Sequence, residues 1–301
     1  MYSQIDSNKR KSVILMMVFI AIIIGLGYVM DMYYGSPGSY SIMWIAVIFS
    51  LLMTSVSYFK GDKIALWSGG AKAIEKKDNA YLYNMVENLC ITAGTPMPKV
   101  YVIEEPAINA FATGRKPELA SIAVTRGALE KLENQELEGV LAHELAHIKN
   151  YDIRFMTMVV VLVGVIVLMS DIFIRSHWFG GRRSNSKGSA GTILMIVGIV
   201  LAILSPIIAE IIKLAISRKR EYLADASGSL LTRYPEGLAS ALEKISKDHE
   251  PMKHASKATA HLYIANPLRN KLKTKKPSKF AAVFSTHPPI DERIKLLRGM
   301  A

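Results

Sequence analysis

Cysteine is almost missing from this sequence: Cys90 is the only one in 301 residues. That excludes an intramolecular disulfide and a thiolate metal cluster, and Cys90 reads as a small buried apolar side chain. Acid is short as well. The 25 Asp and Glu residues against 37 Lys and Arg leave a formal charge of +12 and a pI near 9.6. Interleaved aromatic and basic residues of the kind that grip single strands are absent, so no nucleic-acid partner is expected. Apolar residues are abundant, at 50% of the chain, and the mean hydropathy of +0.23 is high for a soluble globule. An oily and basic chain fits a membrane with an anionic lipid surface nearby.

Charge is absent from four runs: Val13–Met30, Tyr40–Phe59, Phe155–Ser170 and Gly191–Ala209. The first two are long enough to span a bilayer core. A cleaved signal peptide is the rival for the first, but the run is too long for an ordinary signal core, and no small-x-small cleavage site precedes Asp31. Lys9, Arg10 and Lys11 precede this hairpin, Lys60 and Lys63 follow it, and the connection from Asp31 to Ser39 has no Lys or Arg. The positive-inside rule then places the N-terminus and everything after Phe59 in the cytoplasm. The second pair of runs gives conflicting signals. Arg175, Arg182, Arg183 and Lys187 sit in the loop between them, and Pro206 is expected to kink the last run. This hairpin either crosses or returns without crossing, and both paths begin and end on the cytoplasmic side.

Between the hairpins the pattern predicts an amphipathic helix over 71–93 and short strands at Lys99–Ile103 and Ala120–Val124. A turn-like stretch, Asn109–Gly114, lies between the strands, and a short helix is predicted over Arg126–Leu132. A helix follows, with Asn134 as its N-cap, acids in its first turns and an apolar stripe of Val140, Leu141, Leu145 and Ile148. It carries His143-Glu144-Leu145-Ala146-His147. One turn apart on one face, His143 and His147 can hold one metal ion, with Glu144 beside it as a general base. Glu130, Glu133, Glu136, Glu138, Lys149, Asp152 and Arg154 surround this motif, too many charges for hydrocarbon, so the site belongs in water near the membrane surface.

A catalytic zinc needs a third protein ligand. The extended pattern with a further Gly and His is excluded, because Asn150 and Ile153 stand at those places. Glu221 and Asp225 share a helical face one turn apart. Glu221 is a candidate ligand, Asp225 a candidate acceptor from the outer nitrogen of a ligand histidine, and Ala224 would let the two helices approach. The spacing fits equally well a solvated helix end whose acids pair with Arg218, Lys219 and Arg220.

Four motifs in order, His143–Asp152 (HELAHIKNYD), Arg218–Asp225 (RKREYLAD), Asn109–Gly114 (NAFATG) and Phe284–Arg293 (FSTHPPIDER), resemble the HtpX family of membrane zinc metallopeptidases, relatives of the prenyl-protein endopeptidases. The likeness runs from the first apolar run almost to the C-terminus. It implies Glu221 as third zinc ligand and a prokaryotic inner-membrane enzyme, active in the stress response, that degrades damaged membrane proteins.

The expected fold is a mainly α membrane protein with four hydrophobic helices and a zincin-like α+β catalytic unit of the gluzincin type. Its parts are an N-terminal hairpin (1–59), a catalytic portion (60–154), a second hairpin (155–212) and a helical C-terminal portion (213–301). One Zn²⁺ per chain is expected on His143, His147 and Glu221, with Glu144 as catalytic base. Asn109, Ala110 and Phe111 are candidates for the substrate cleft, since proteases commonly bind substrate as an added strand. His287 and Arg293 are candidate donors to the developing oxyanion. Arg269–Lys279, with six basic residues and no acid, reads as a solvated loop or an anionic-lipid contact. His177, His249, His254 and His261 fall in no ligand pattern. Polypeptide substrates, membrane proteins among them, are the expected partners. The alternatives are a non-catalytic zinc-fold adaptor and a prenyl-processing endopeptidase, the latter needing a larger chamber than four spans supply.

Overall fold

The computed structural model describes residues 2–34, 38–180, 218–254, 259–267 and 288–300. Two long helices come first, α1 (Tyr2–Tyr34) and α2 (Ser41–Ser68). Both are long and apolar enough to cross a membrane, by length and composition. Their outer faces expose Met17, Met32, Trp44, Ile45, Ile48 and Leu51. The inner face of α1 buries Leu15, Phe19 and Ile23 against Phe155, Val159, Leu162 and Ile166 of a third helix, α6 (Asp152–Gly180). The Asp31 carboxylate, on α1, accepts hydrogen bonds from the Ile42 and Met43 amides and so caps the start of α2.

The second apolar run ends at Phe59 in the sequence, yet α2 continues to Ser68. Its last turns bury Ala65 and Leu66 against Phe111, Ala123, Met156 and Tyr263. The membrane hairpin and the sheet therefore share a core. The expected return run, Gly191–Ala209, and the basic stretch Arg269–Lys279 lie outside the described residues.

A four-stranded sheet has the order β1-β2-β4-β3, built from β1 (Ala71–Ala73), β2 (Lys99–Ile103), β3 (Ala110–Thr113) and β4 (Ser121–Thr125). The two central strands are parallel, Lys99 opposite Ser121. The edge strands are antiparallel, Ala71 opposite Ile103 and Ala110 opposite Val124. Two sequence expectations change here. The helix expected over 71–93 is a strand, a turn and then α3 (Ala80–Ala93), because Asn79 accepts from the Leu82 amide and starts the helix there. The turn-like Asn109–Gly114 contains β3, fully buried, since pairing with β4 overrides the turn tendency of its small residues.

Helices α4 (Arg126–Lys131), α5 (Asn134–Lys149), α7 (Arg218–Thr232), α8 (Pro235–Lys247) and α9 (Ile290–Arg298), with a 3-10 turn at Pro117–Leu119, complete the described elements. At the centre is α5, buried from Leu137 to Ile148 except for half-exposed Glu138's side of the helix start. Its N-cap is Glu133 rather than the expected Asn134. The Glu136 carboxylate reaches back to accept from the Glu133 amide at 2.8 Å. Ser240 Oγ donates to the other oxygen at 2.6 Å and Lys244 Nζ stands 2.7 Å away, which ties α5 to α8. Backbones touch at two glycines. A Cβ on Gly139 would meet the Leu238 amide nitrogen at 2.7 Å, and one on Gly228 would meet the His143 nitrogen at 3.0 Å. Ala224 is buried as expected, and at Gly228 the backbone of α7 lies directly against that of α5.

Two outcomes are expected. Gly228→Val forces α7 off α5 and destabilises the fold by about 1–3 kcal/mol, read as a lower melting temperature in detergent. Burial opposes ionisation of Glu136, but Lys244, Ser240 and the Glu133 amide hold its carboxyl below the ordinary 4.5. Its stabilisation is therefore present at neutral pH and lost as pH falls through that lowered folded-state range. Melts of Glu136→Gln should show a smaller loss on acidification than the parent.

Candidate metal centre

Helix α5 places His143 and His147 one turn apart, with ring centroids 4.8 Å apart and nearly perpendicular planes. Both are buried, as is Glu144 between them. Helix α7, held close at Gly228, brings Glu221 over the pair. The Nε2 atoms of the two rings lie 3.2 Å apart. Glu221 stands 3.8 Å from His143 Nε2 and 3.5 Å from His147 Nε2. Ligand atoms bonded at about 2.0–2.1 Å to one tetrahedral ion lie roughly 3.3 Å apart, so the set fits a zinc-sized cation. Among the described residues, this is the group of His, Cys, Asp and Glu side chains that converges in this way.

The outer nitrogens are held too. His143 Nδ1 donates to Asp225 at 2.9 Å, and His147 Nδ1 donates to Asp152 at 3.0 Å. Each carboxylate keeps the proton on Nδ1 and leaves the Nε2 lone pair directed at the shared point. Asp225, the candidate acceptor, lies against the outer nitrogen of His143. Asp152, one of the charges around the motif, reaches His147. Periodicity could not place it, because a turn with Tyr151 at φ +60° separates it from the helix.

Arg293 of α9 is fully buried and grips Asp225 with two bonds, Nε to Oδ2 at 2.8 Å and Nη2 to Oδ1 at 2.6 Å. Its Nη1 donates to the Ile264 carbonyl and lies 3.6 Å from Glu221. His287, the other expected oxyanion donor, lies outside the described residues. Asn109, Ala110 and Phe111 are at the near edge of the sheet, and the amide of the next residue, Ala112, donates to Glu144. Met252 and residues 263–265 lie against them. Asn109 Nδ2 donates to the Ala265 carbonyl at 3.0 Å, the Ala110 carbonyl accepts from the Ile264 amide at 3.0 Å, and Phe111 packs edge-on against Tyr263. His254 and His261, given no role, make structural contacts with Glu105 and the Met156 carbonyl.

Burial pushes the Glu144 carboxyl up to about 7, against the pull of His147 and with the push of Glu221. Burial pulls the His147 imidazole down, but Asp152, Glu221 and Glu144 outweigh it and bring the ring up to about 9. Burial holds His143 below its ordinary value despite Asp225. Carboxylates thus crowd a space where a cation relieves their repulsion. A proton on His147 competes with a metal ion for the ring, so metal retention should weaken as pH falls and binding should release protons. Isothermal titration in buffers of different ionisation enthalpy reads the released protons. Glu221→Ala should lose bound metal by elemental analysis while α5 stays folded.

Residues 76–301 match the model of Peptidase family M48. A protein named Protease HtpX homolog from Caldanaerobacter subterraneus subsp. tengcongensis is 44% identical over 303 residues, covering 100% of this chain and 98% of its own. The protein of that name from Dictyoglomus thermophilum is 44% identical over 299 residues, covering 99% and 94%. The one from Listeria monocytogenes serotype 4a is 42% identical over 312 residues and covers both chains fully, at 100%. Among solved structures, the crystal structure of S. mikatae Ste24p shares the fold, with a TM-score of 0.50 and 19% identity over 99% of this chain and 67% of that one. With the family model matching residues 76–301 and full-length relatives 42–44% identical, this chain belongs to Peptidase family M48 and is a metallopeptidase.

Proposed function

We propose that this membrane metallopeptidase is a zinc endopeptidase of proteolytic quality control, cutting misfolded or damaged membrane proteins on the cytoplasmic side of a prokaryotic inner membrane. The observation that carries the reading is the convergence of His143 Nε2, His147 Nε2 and Glu221 on one point, with both outer nitrogens held by carboxylates. We assign one Zn²⁺ per chain to these three side chains; a donor set of two imidazoles and a carboxylate suits that ion. When bound, the ion supplies Lewis acidity toward the scissile carbonyl and acidifies water at the site.

The remaining steps belong to the chain. Glu144, buried and brought to about 7, is poised both to take a proton from water and to return it to the leaving amine. Asp225 and Asp152 hold the two imidazoles in their ligand tautomers. Arg293, engaged on Asp225, acts through that carboxylate and Glu221, which leaves His287 as candidate donor to the oxyanion. An extended substrate would add along the β3 edge at Asn109–Phe111, displacing the Ile264 amide from the Ala110 carbonyl.

The position of α1 supports this sidedness. Asn8, near its N-terminal end, hydrogen-bonds the turn that closes α5, so the basic residues Lys9, Arg10 and Lys11 lie level with the metal centre. Those charges favour the cytoplasmic face. The four-span architecture and the gluzincin assignment belong to the same proposal.

Glu144→Gln is the direct test. Purified with its metal, it should cleave a denatured membrane protein roughly a hundred- to ten-thousand-fold more slowly than the parent, and a chelator should silence the parent. Equal rates for parent and variant would refute the assignment of Glu144.

A further inference from the structure

Asn8 is fully buried near the start of the first membrane helix, where a polar side chain is costly unless it is bonded. Its Nδ2 donates to Asp152 Oδ1 at 2.6 Å and to the Asn150 carbonyl at 2.9 Å. The two contacts straddle Tyr151, whose φ of +60° is a left-handed backbone conformation that non-glycine residues rarely adopt. Such a conformation persists only where its surroundings enforce it. Lys9 adds a second hold on the same turn, its Nζ 4.8 Å from the centre of the Tyr151 ring. The other oxygen of Asp152 accepts from His147 Nδ1 at 3.0 Å. An unbroken chain of hydrogen bonds therefore runs from α1, through Asp152, to an imidazole of the metal centre.

We propose that α1 is a working part of the metal centre as well as a membrane span, and that Asn8 is a positioning residue that sets His147 through Asp152. Asp152 could orient His147 properly only if its own carboxylate is fixed. Arg220, 3.8 Å away, is too distant to fix its direction alone. The Asn8 amide, bonded to the carboxylate and to the carbonyl two residues earlier, locks the turn and the acid together. The first helix joins the catalytic unit at this point, so detaching α1 from the turn disturbs the ligand geometry without touching a ligand. This inference rests on the metal-centre reading above.

The test compares full-length chains in nanodiscs, loaded with Zn²⁺ for kinetics and with Co²⁺ for visible spectra. Asn8→Leu keeps the size and removes the donor. It should lower kcat by about ten- to a hundred-fold, with KM within roughly twofold, speed metal loss to a chelator and shift the Co²⁺ spectrum. Asn8→Ser, which keeps a donor, should recover part of the rate. Phe19→Ala removes a buried ring of α1 from the α6 interface; it should lower the melting temperature while leaving kcat and the spectrum as in the parent. If Asn8→Leu does not fold, Asn8→Ala is read in its place. The proposal is overturned if the Asn8 variant keeps the parent kcat and spectrum, or if Phe19→Ala reproduces its effects. Glu221→Ala separates the two levels: retention of metal there defeats the metal-centre reading itself, whereas loss of metal there with a silent Asn8 variant defeats this inference alone.

Discussion

Everything in this molecule depends on bringing a carboxylate from α7 within bonding range of two imidazoles on α5. Three electron-rich atoms 3.2–3.8 Å apart repel one another, and burial denies them water. The fold supplies the force that holds them there. Helix α5 is buried from Gly139 to Ile148, and the neighbouring helices approach so closely that a side chain would collide with backbone at Gly139 and be tightly pressed against it at Gly228. The cost of crowding acid and imidazole is met by packing elsewhere, and a divalent cation turns the repulsion into attraction. The raised protonation range of His147 expresses the same field, with a proton taking the place that a metal ion would occupy.

Around those atoms sits a shell of charge arranged in pairs. Asp225 faces His143 and is gripped by Arg293, while Asp152 faces His147 and is gripped by Asn8. The two halves come from opposite ends of the chain: Arg293 is on the last described helix and Asn8 on the first. A hydrophobic core common to α2, α6 and the sheet makes this possible, since it joins the membrane helices to the catalytic unit instead of leaving them as a tether.

Much of this was legible in the residues. The pair His143 and His147, with Glu144 beside it, follows from helical spacing alone, as does the common face of Glu221 and Asp225. The likeness to a known family then singled out Glu221 from a plain charged helix end. The parts that escaped were non-local. Ala71–Ala73 and Ala110–Thr113 are strands because they pair with β2 and β4, and nothing within three or four residues dictates it. Asp152 meets His147 only because Tyr151 turns the chain through an unfavoured conformation. Arg293 looked available for substrate, but the fold commits its fork to Asp225. The last turns of α2 carry Lys60, Asp62 and Lys63, so the sequence marked an end where tertiary packing continues the helix.

The most direct measurement is anomalous diffraction at the zinc edge from crystals of the full-length holoenzyme. The expected result is a single peak per chain, about 2.0–2.2 Å from Nε2 of His143, Nε2 of His147 and a carboxylate oxygen of Glu221. A peak at any other group of side chains, or Glu221 turned away from a peak on the two histidines, would contradict the account.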